Sequence, residues 1–146
     1  VQKFVFRLEV VKKLRENDFL QARRQVSEQE GVLHREKLAF KTLKERKQAI
    51  CEERFAYLRD LDLFMANWAF EYEKALEFDI KAQEVRLQEA SRELEERKKK
   101  MQEAKKAVKV VEKLEEKSRL KYNKERLDFE QKFFDDIAGS GYLRKH

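Results

Sequence analysis

A chain of 146 residues, 44% of them charged, with no proline, three glycines and a mean hydropathy of -0.90, has the length of one globular domain but a composition that favours long helices. Its 41% hydrophobic residues recur too regularly for a disordered polyampholyte, which could not offset the entropy of ordering. No apolar run approaches the roughly 20 residues that span a bilayer, and no short apolar stretch follows a basic N-terminus as in a signal peptide, so a cytosolic protein is expected.

Glycine occurs only at positions 31, 139 and 141, which leaves residues 32–138 free of both strong helix breakers and predicts helix with at most one turn. The first helix is expected over about 2–60. From Phe19, steps of three and four visit Ala22, Val26, Gln29, Leu33, Glu36, Phe40, Leu43, Lys47, Ile50, Arg54 and Tyr57, then Leu61, Phe64 and Trp68. This is the alternation of a coiled-coil seam. Gln29, Glu36, Lys47 and Arg54 are polar members that weaken packing and fix register, although long side chains such as Lys47 also reach out of a seam to water.

A turn region is expected over about 60–70. The step from Phe64 through Trp68 and Tyr72 to Leu76 and Ile80 is always four, which breaks the heptad phase. Either the chain turns back there or one long helix carries a stutter and pairs with a second chain. Asp60, Asp62 and Asn67 offer capping oxygens, and "LRDLDLFMANWAF" is more apolar than a straight dimer seam requires. The reading is therefore all-α, a long antiparallel two-helix coiled-coil hairpin centred near residues 68 and 69. That centre sets Ile50 opposite Leu87 and gives arms of about 60 residues, a rod on the order of 90 Å.

The second helix is expected over about 70–138, followed by a flexible tail at 139–146. Its seam runs through Leu76, Ile80, Gln83, Leu87, Ala90, Leu94, Arg97, Met101, Ala104, Val108 and Val111. Near its end Phe129, Phe133 and Ile137 form an i, i+4 stripe expected to pack on Phe4, Leu8 and Val11, while Phe134, about 100° off that stripe, is the better contact for a partner.

The single Cys51 cannot form an internal disulfide, and His34 and His146 beside it supply no metal-ligand spacing. No glycine-rich phosphate loop is present, and Asp135 and Asp136, adjacent on a helix, point apart. No catalytic site, metal or cofactor is expected. The pI of about 9.3 raises nucleic-acid binding, but 29 acids are spread among the 35 bases and the aromatics occupy seam positions, so no nucleic acid is expected. "ERKKKMQEAKK" reads as a solvated basic face.

The opening Phe4, Phe6, Leu8, Val11, Leu14 and Arg15, the central Leu76, Ile80, Gln83 and Leu87, and the closing Glu130, Gln131, Lys132, Asp135, Asp136, Ile137 and Ala138 together resemble the FliJ family. That family is the coiled-coil stalk of the flagellar type III export ATPase. Asp136 stands where the family often has Glu, Phe133 and Phe134 depart from a usual polar position, and "GSGYLRKH" matches no family pattern. The resemblance implies a chain without catalytic activity that enters the pore of a hexameric export ATPase by its terminal end and meets the membrane export-gate protein with its middle. Export chaperones are a further class of partner. The implied location is cytoplasmic and peripheral at the inner-membrane export apparatus, without direct membrane insertion.

On that resemblance, ring contacts are expected at Arg7, Arg15, Arg119, Arg126, Gln131, Lys132, Phe134 and Asp135, with Arg24 and Lys117 as further basic candidates. Most such cations are also expected to have partners on their own helix. Gate contacts are expected among Leu63, Phe64, Trp68, Tyr72 and Leu76. A generic coiled-coil scaffold or dimeric tether is the competing reading, because seams alone do not separate it from a stalk.

Overall fold

A computed structural model describes residues 2–145, with side chains through residue 141. Two α-helices account for nearly all of them: α1 is Glu9–Arg59 and α2 is Leu63–Lys145, of 51 and 83 residues. Among the described residues there is no strand. The chain forms two compact units, one comprising Gln21–Met101 around the turn and one bringing the first twenty residues together with those from Gln102 on. In each, α1 and α2 run antiparallel, so the expected all-α hairpin is what the chain adopts.

The turn is shorter and earlier than the sequence suggests. Only residues 60–62 separate the helices. The Asp62 amide donates to the Tyr57 carbonyl at 2.9 Å and the Leu61 amide to that of Leu58 at 3.2 Å, the paired bonds of a Schellman C-cap. The left-handed residue this motif needs is Leu61, with φ of 57°. Glycine normally fills that place, because a Cβ there costs about 1–2 kcal/mol. Asp62 then caps α2: its Oδ1 accepts from the Met65 amide at 3.2 Å, satisfying a first-turn donor that has no helical partner.

Within the turn unit, the seam from Ala22 to Tyr57 is buried or half-buried at every expected position. Leu61, Phe64 and Trp68, expected to continue it, are exposed. The α2 seam instead begins with the buried Ala66 and Ala69, passes half-buried Glu73 and reaches Leu76 in the same alternation of three and four. No stutter separates the halves. The apparent phase break comes from following large residues across a turn, when the true seam there is made of alanines. Ile50, Ala69 and Leu76 form the core cluster, with Leu43 and Tyr57 against it, so Ile50 does not face Leu87. Small alanines on α2 admit Ile50 and Tyr57 from α1, knobs set into shallow holes.

Four polar seam residues, Gln29, Glu36, Gln83 and Arg97, are bonded across the hairpin. Gln29 Nε2 donates to the Ala90 carbonyl at 3.0 Å, and Gln83 Nε2 donates to the Glu36 carbonyl at 3.1 Å and to its carboxylate. Arg97 reaches the Gln25 carbonyl at 3.0 Å. Both glutamines are buried. A one-turn slip would strand these amides without partners, at about 1–3 kcal/mol each, and so they fix register. Facing pairs such as Gln29 with Ala90 and Glu36 with Gln83 centre the hairpin near Asp60.

In the terminal unit, α1 does not start near residue 2. Residues 2–8 form a non-helical strap along α2, in which Phe6 is buried and Val5 is exposed. Phe4 packs on Tyr122 with ring centroids 5.5 Å apart, and the Tyr122 hydroxyl donates to the Gln2 carbonyl. The Glu9 amide donates to the Phe6 carbonyl at 3.2 Å, which turns the strap into α1. Gly139 and Gly141, placed in the expected tail, lie within α2. His146 lies outside the described residues.

Candidate functional site

No group of His, Cys, Asp or Glu able to hold a metal occurs among the described residues, and no helix there is long and apolar enough to cross a membrane. Surface concavities are open grooves on helix faces, one lined by Glu52, Phe55, Leu58 and Arg59 in the turn unit and another by Phe133, Asp136, Ile137, Ser140 and Gly141 in the terminal unit. What the molecule presents is surface, and the exposed aromatic residues are its most distinctive part.

In the turn unit, four of the five expected gate residues are on the outside. Leu63 and Phe64 are almost bare, at 69% and 81% exposure. Trp68 and Tyr72 stack in parallel, with ring centroids 5.6 Å apart and planes within 6°. This pairing restricts both rings before any partner arrives. The fifth residue, Leu76, is 3% exposed inside the hairpin core and does not belong to the surface. It follows Tyr72 by four residues, but the seam claims it.

Sequence reasoning missed Phe55, Leu58, Phe70 and Phe78, all exposed in this unit. Arg54 links two of them. Its guanidinium carbon sits 5.0 Å from the Phe55 ring centroid and 5.8 Å from that of Phe70, while its Nε lies 2.6 Å from Glu73 Oε2. The Nε contact is a close charge pairing without an aligned hydrogen bond. A cation between helices thus holds aromatic faces in place beside the turn. The available signal was the off-seam position of Phe55 and Phe70, next to Arg54 and Glu73 on it.

In the terminal unit the basic candidates are exposed, and three of them are tied to neighbours. Arg15 lies 3.7 Å from Asp18, Arg119 3.7 Å from Glu115, and Arg126 4.0 Å from Glu130. Arg119 also covers the Phe4 ring, its guanidinium carbon 5.0 Å from the centroid. The exposed pairs of Arg15 and Arg126 contribute little to stability and can be exchanged for a partner's charges. Lys12 is different: its Nζ meets Glu115 Oε2 at 2.6 Å across the two helices. The hydrogen bond to Glu115 holds the Lys12 ammonium above its ordinary pKa, opposed by desolvation and reinforced by the charges of Glu115, Glu9 and Glu16.

Arg7, Gln131, Lys132, Phe134 and Asp135 are all exposed. The expected packing of Phe129, Phe133 and Ile137 on Phe4, Leu8 and Val11 does not occur. The strap meets α2 as far as Tyr122, and the three residues are 53–60% exposed. With Phe134 at 65%, its ring 6.1 Å from that of Phe133, they leave an aromatic stripe open to solvent.

Comparison with known proteins gives one finding about kinship. The family model described as "Flagellar FliJ protein" matches residues 4–146, nearly the whole chain. No curated protein and no solved structure matches it.

Proposed function

This chain belongs to the FliJ family of flagellar proteins, and from that premise we propose that it is the non-catalytic stalk of the flagellar type III export ATPase. Its terminal unit enters the hexameric ring and its turn unit meets the membrane export gate, which puts the protein in the cytoplasm at the inner-membrane export apparatus. The observation that carries this reading is that each unit holds its own exposed aromatic surface, Phe64 with the Trp68 and Tyr72 stack in one and the Phe129 to Ile137 stripe in the other. A coupling protein needs two such surfaces.

In the terminal unit, Arg7, Arg15, Arg119, Arg126, Gln131, Lys132 and Asp135 make the exchangeable polar contacts, and Phe134 is the apolar anchor. Charge complementarity suits a stalk that meets several ring subunits, because it steers association without fixing one large apolar interface. In the turn unit, Leu63, Phe64, Trp68 and Tyr72 dock on the gate. The stalk acts on the ring by favouring one subunit arrangement over another, which requires only differential affinity.

The division of labour is tested by pull-down against the two partners separately. Trp68→Ser with Tyr72→Ser should abolish gate binding and leave ring binding intact, whereas Phe134→Ala with Lys132→Ala should do the reverse. A generic tether would lose neither in this selective way.

A further inference from the structure

The C-terminal part of α2 is built to pair with itself. At about 100° per residue, Phe129, Phe133 and Ile137 lie within roughly 40° of one line along the helix, Lys132 and Asp136 flank that line on one side, and Phe134 flanks it on the other. All of these side chains are exposed, and Phe133, Asp136, Ile137, Ser140 and Gly141 line a shallow groove on this face. We propose that residues 126–140 of two copies of this chain pack as an antiparallel helix pair, with Phe133 on the two-fold axis.

A two-fold axis perpendicular to the helices brings each residue opposite its mirror about the central position and keeps each flank facing the same flank. With Phe133 central, Phe129 faces Ile137 of the second copy, and the reverse contact repeats it. On one flank Phe134 meets Phe134 of the second copy. On the other, Lys132 lies within reach of Asp136 of the second copy, which gives two equivalent ion pairs. The stripe is thus complementary to itself in both shape and charge, which no single helix face achieves by apolar content alone.

Other classes of occupant fit less well. Residues 124–136 carry five acids against three bases, which disfavours an anionic lipid surface or a nucleic acid at this face. Burying the aromatic stripe and Phe134 removes roughly 500 Å² from water on each copy, given about 150–250 Å² for a whole aromatic side chain. About 1,000 Å² in total is the lower limit for a specific interface, as expected for a weak, reversible dimer. The inference does not rest on the stalk reading. The pair covers Lys132, Phe134 and neighbouring positions and so excludes entry of the same end into a ring.

The experiment is sedimentation equilibrium of the full chain, with helical circular dichroism as the control for folding. Lys132→Asp sets acid against acid at both symmetric pairs and should weaken self-association by about tenfold or more, and adding Asp136→Lys in the same chain should restore it to within about threefold. In a Cys51→Ser background, Phe133→Cys should give a disulfide-linked dimer under mild oxidation. A wild-type chain that stays monomeric up to about 100 µM overturns the proposal. So does a dimer indifferent to the charge swap.

Discussion

Gln29 on α1 donates through Nε2 to the carbonyl of Ala90 on α2 at 3.0 Å, across 61 residues of sequence. Both residues are buried, so the bond dictates which part of α2 each part of α1 meets. In a Cys51→Ser background, Gln29→Cys with Ala90→Cys should form a disulfide within one chain on oxidation. Ile50→Cys with Leu87→Cys should not, because Ile50 shares its cluster with Ala69 and Leu76. Non-reducing electrophoresis distinguishes the two, and intermolecular products from the first pair would contradict the register.

Two single substitutions should stabilise the hairpin by moving glycine from where it is a liability to where it is useful. A Cβ added at Gly31, within α1, meets nothing within 4 Å, so Gly31→Ala should gain about 0.5–1 kcal/mol. Leu61 holds φ of 57° with its side chain 83% exposed, so Leu61→Gly relieves backbone strain with little packing lost. After the greater entropy of the unfolded glycine chain is subtracted, the gain should be up to about 1 kcal/mol. Urea unfolding midpoints measure both, and a lower midpoint for Leu61→Gly would contradict the turn geometry.

Leu76 and Tyr72, four residues apart on α2, should behave in opposite ways. Leu76→Ala removes a buried side chain from the core cluster and should cost about 2–5 kcal/mol. Tyr72→Ser removes a partly exposed ring stacked on Trp68, and its stability should change by less than about 1 kcal/mol. Thermal unfolding with gate binding measured alongside separates a core position from a contact.

The Lys12 and Glu115 contact makes a pH prediction with a definite sign. A lysine whose folded pKa is raised above its unfolded value adds stability that is fully present below the unfolded pKa and is lost as pH rises through the folded one. Lys12 is raised from 10.5, chiefly by its hydrogen bond to Glu115. Its contribution should therefore be constant through neutral pH and disappear in strongly alkaline solution. Lys12→Met should flatten that alkaline loss, as followed by unfolding midpoints from neutral to high pH.

How much of this was legible depended on which residues carried the signal. Seam positions from Ala22 to Tyr57 and from Leu76 to Val111 follow heptad spacing and are covered at every step. The turn was misplaced because a leucine occupies the left-handed position and Ala66 and Ala69, too small to stand out, begin the second seam. The strap was misread as helix, although Phe4 and Phe6 around an exposed Val5 already carry the period of two of an extended segment. The exposed stripe at Phe129, Phe133 and Ile137 has the same helical spacing as a buried one, so periodicity alone could not reveal what covers it.

In the proposed function the terminal unit engages and stimulates an export ATPase. This is tested by titrating this chain into the cognate hexameric ATPase and following phosphate release at several salt concentrations. Turnover should rise with added chain, wild-type stimulation should weaken as the Debye length shortens from about 10 Å at 0.1 M salt to about 3 Å at 1 M, and Phe134→Ala should raise the off-rate at a cost of about 1–3 kcal/mol. Stimulation that does not depend on salt would contradict docking by charge, and a ring that neither binds the chain nor changes its turnover would contradict the stalk itself.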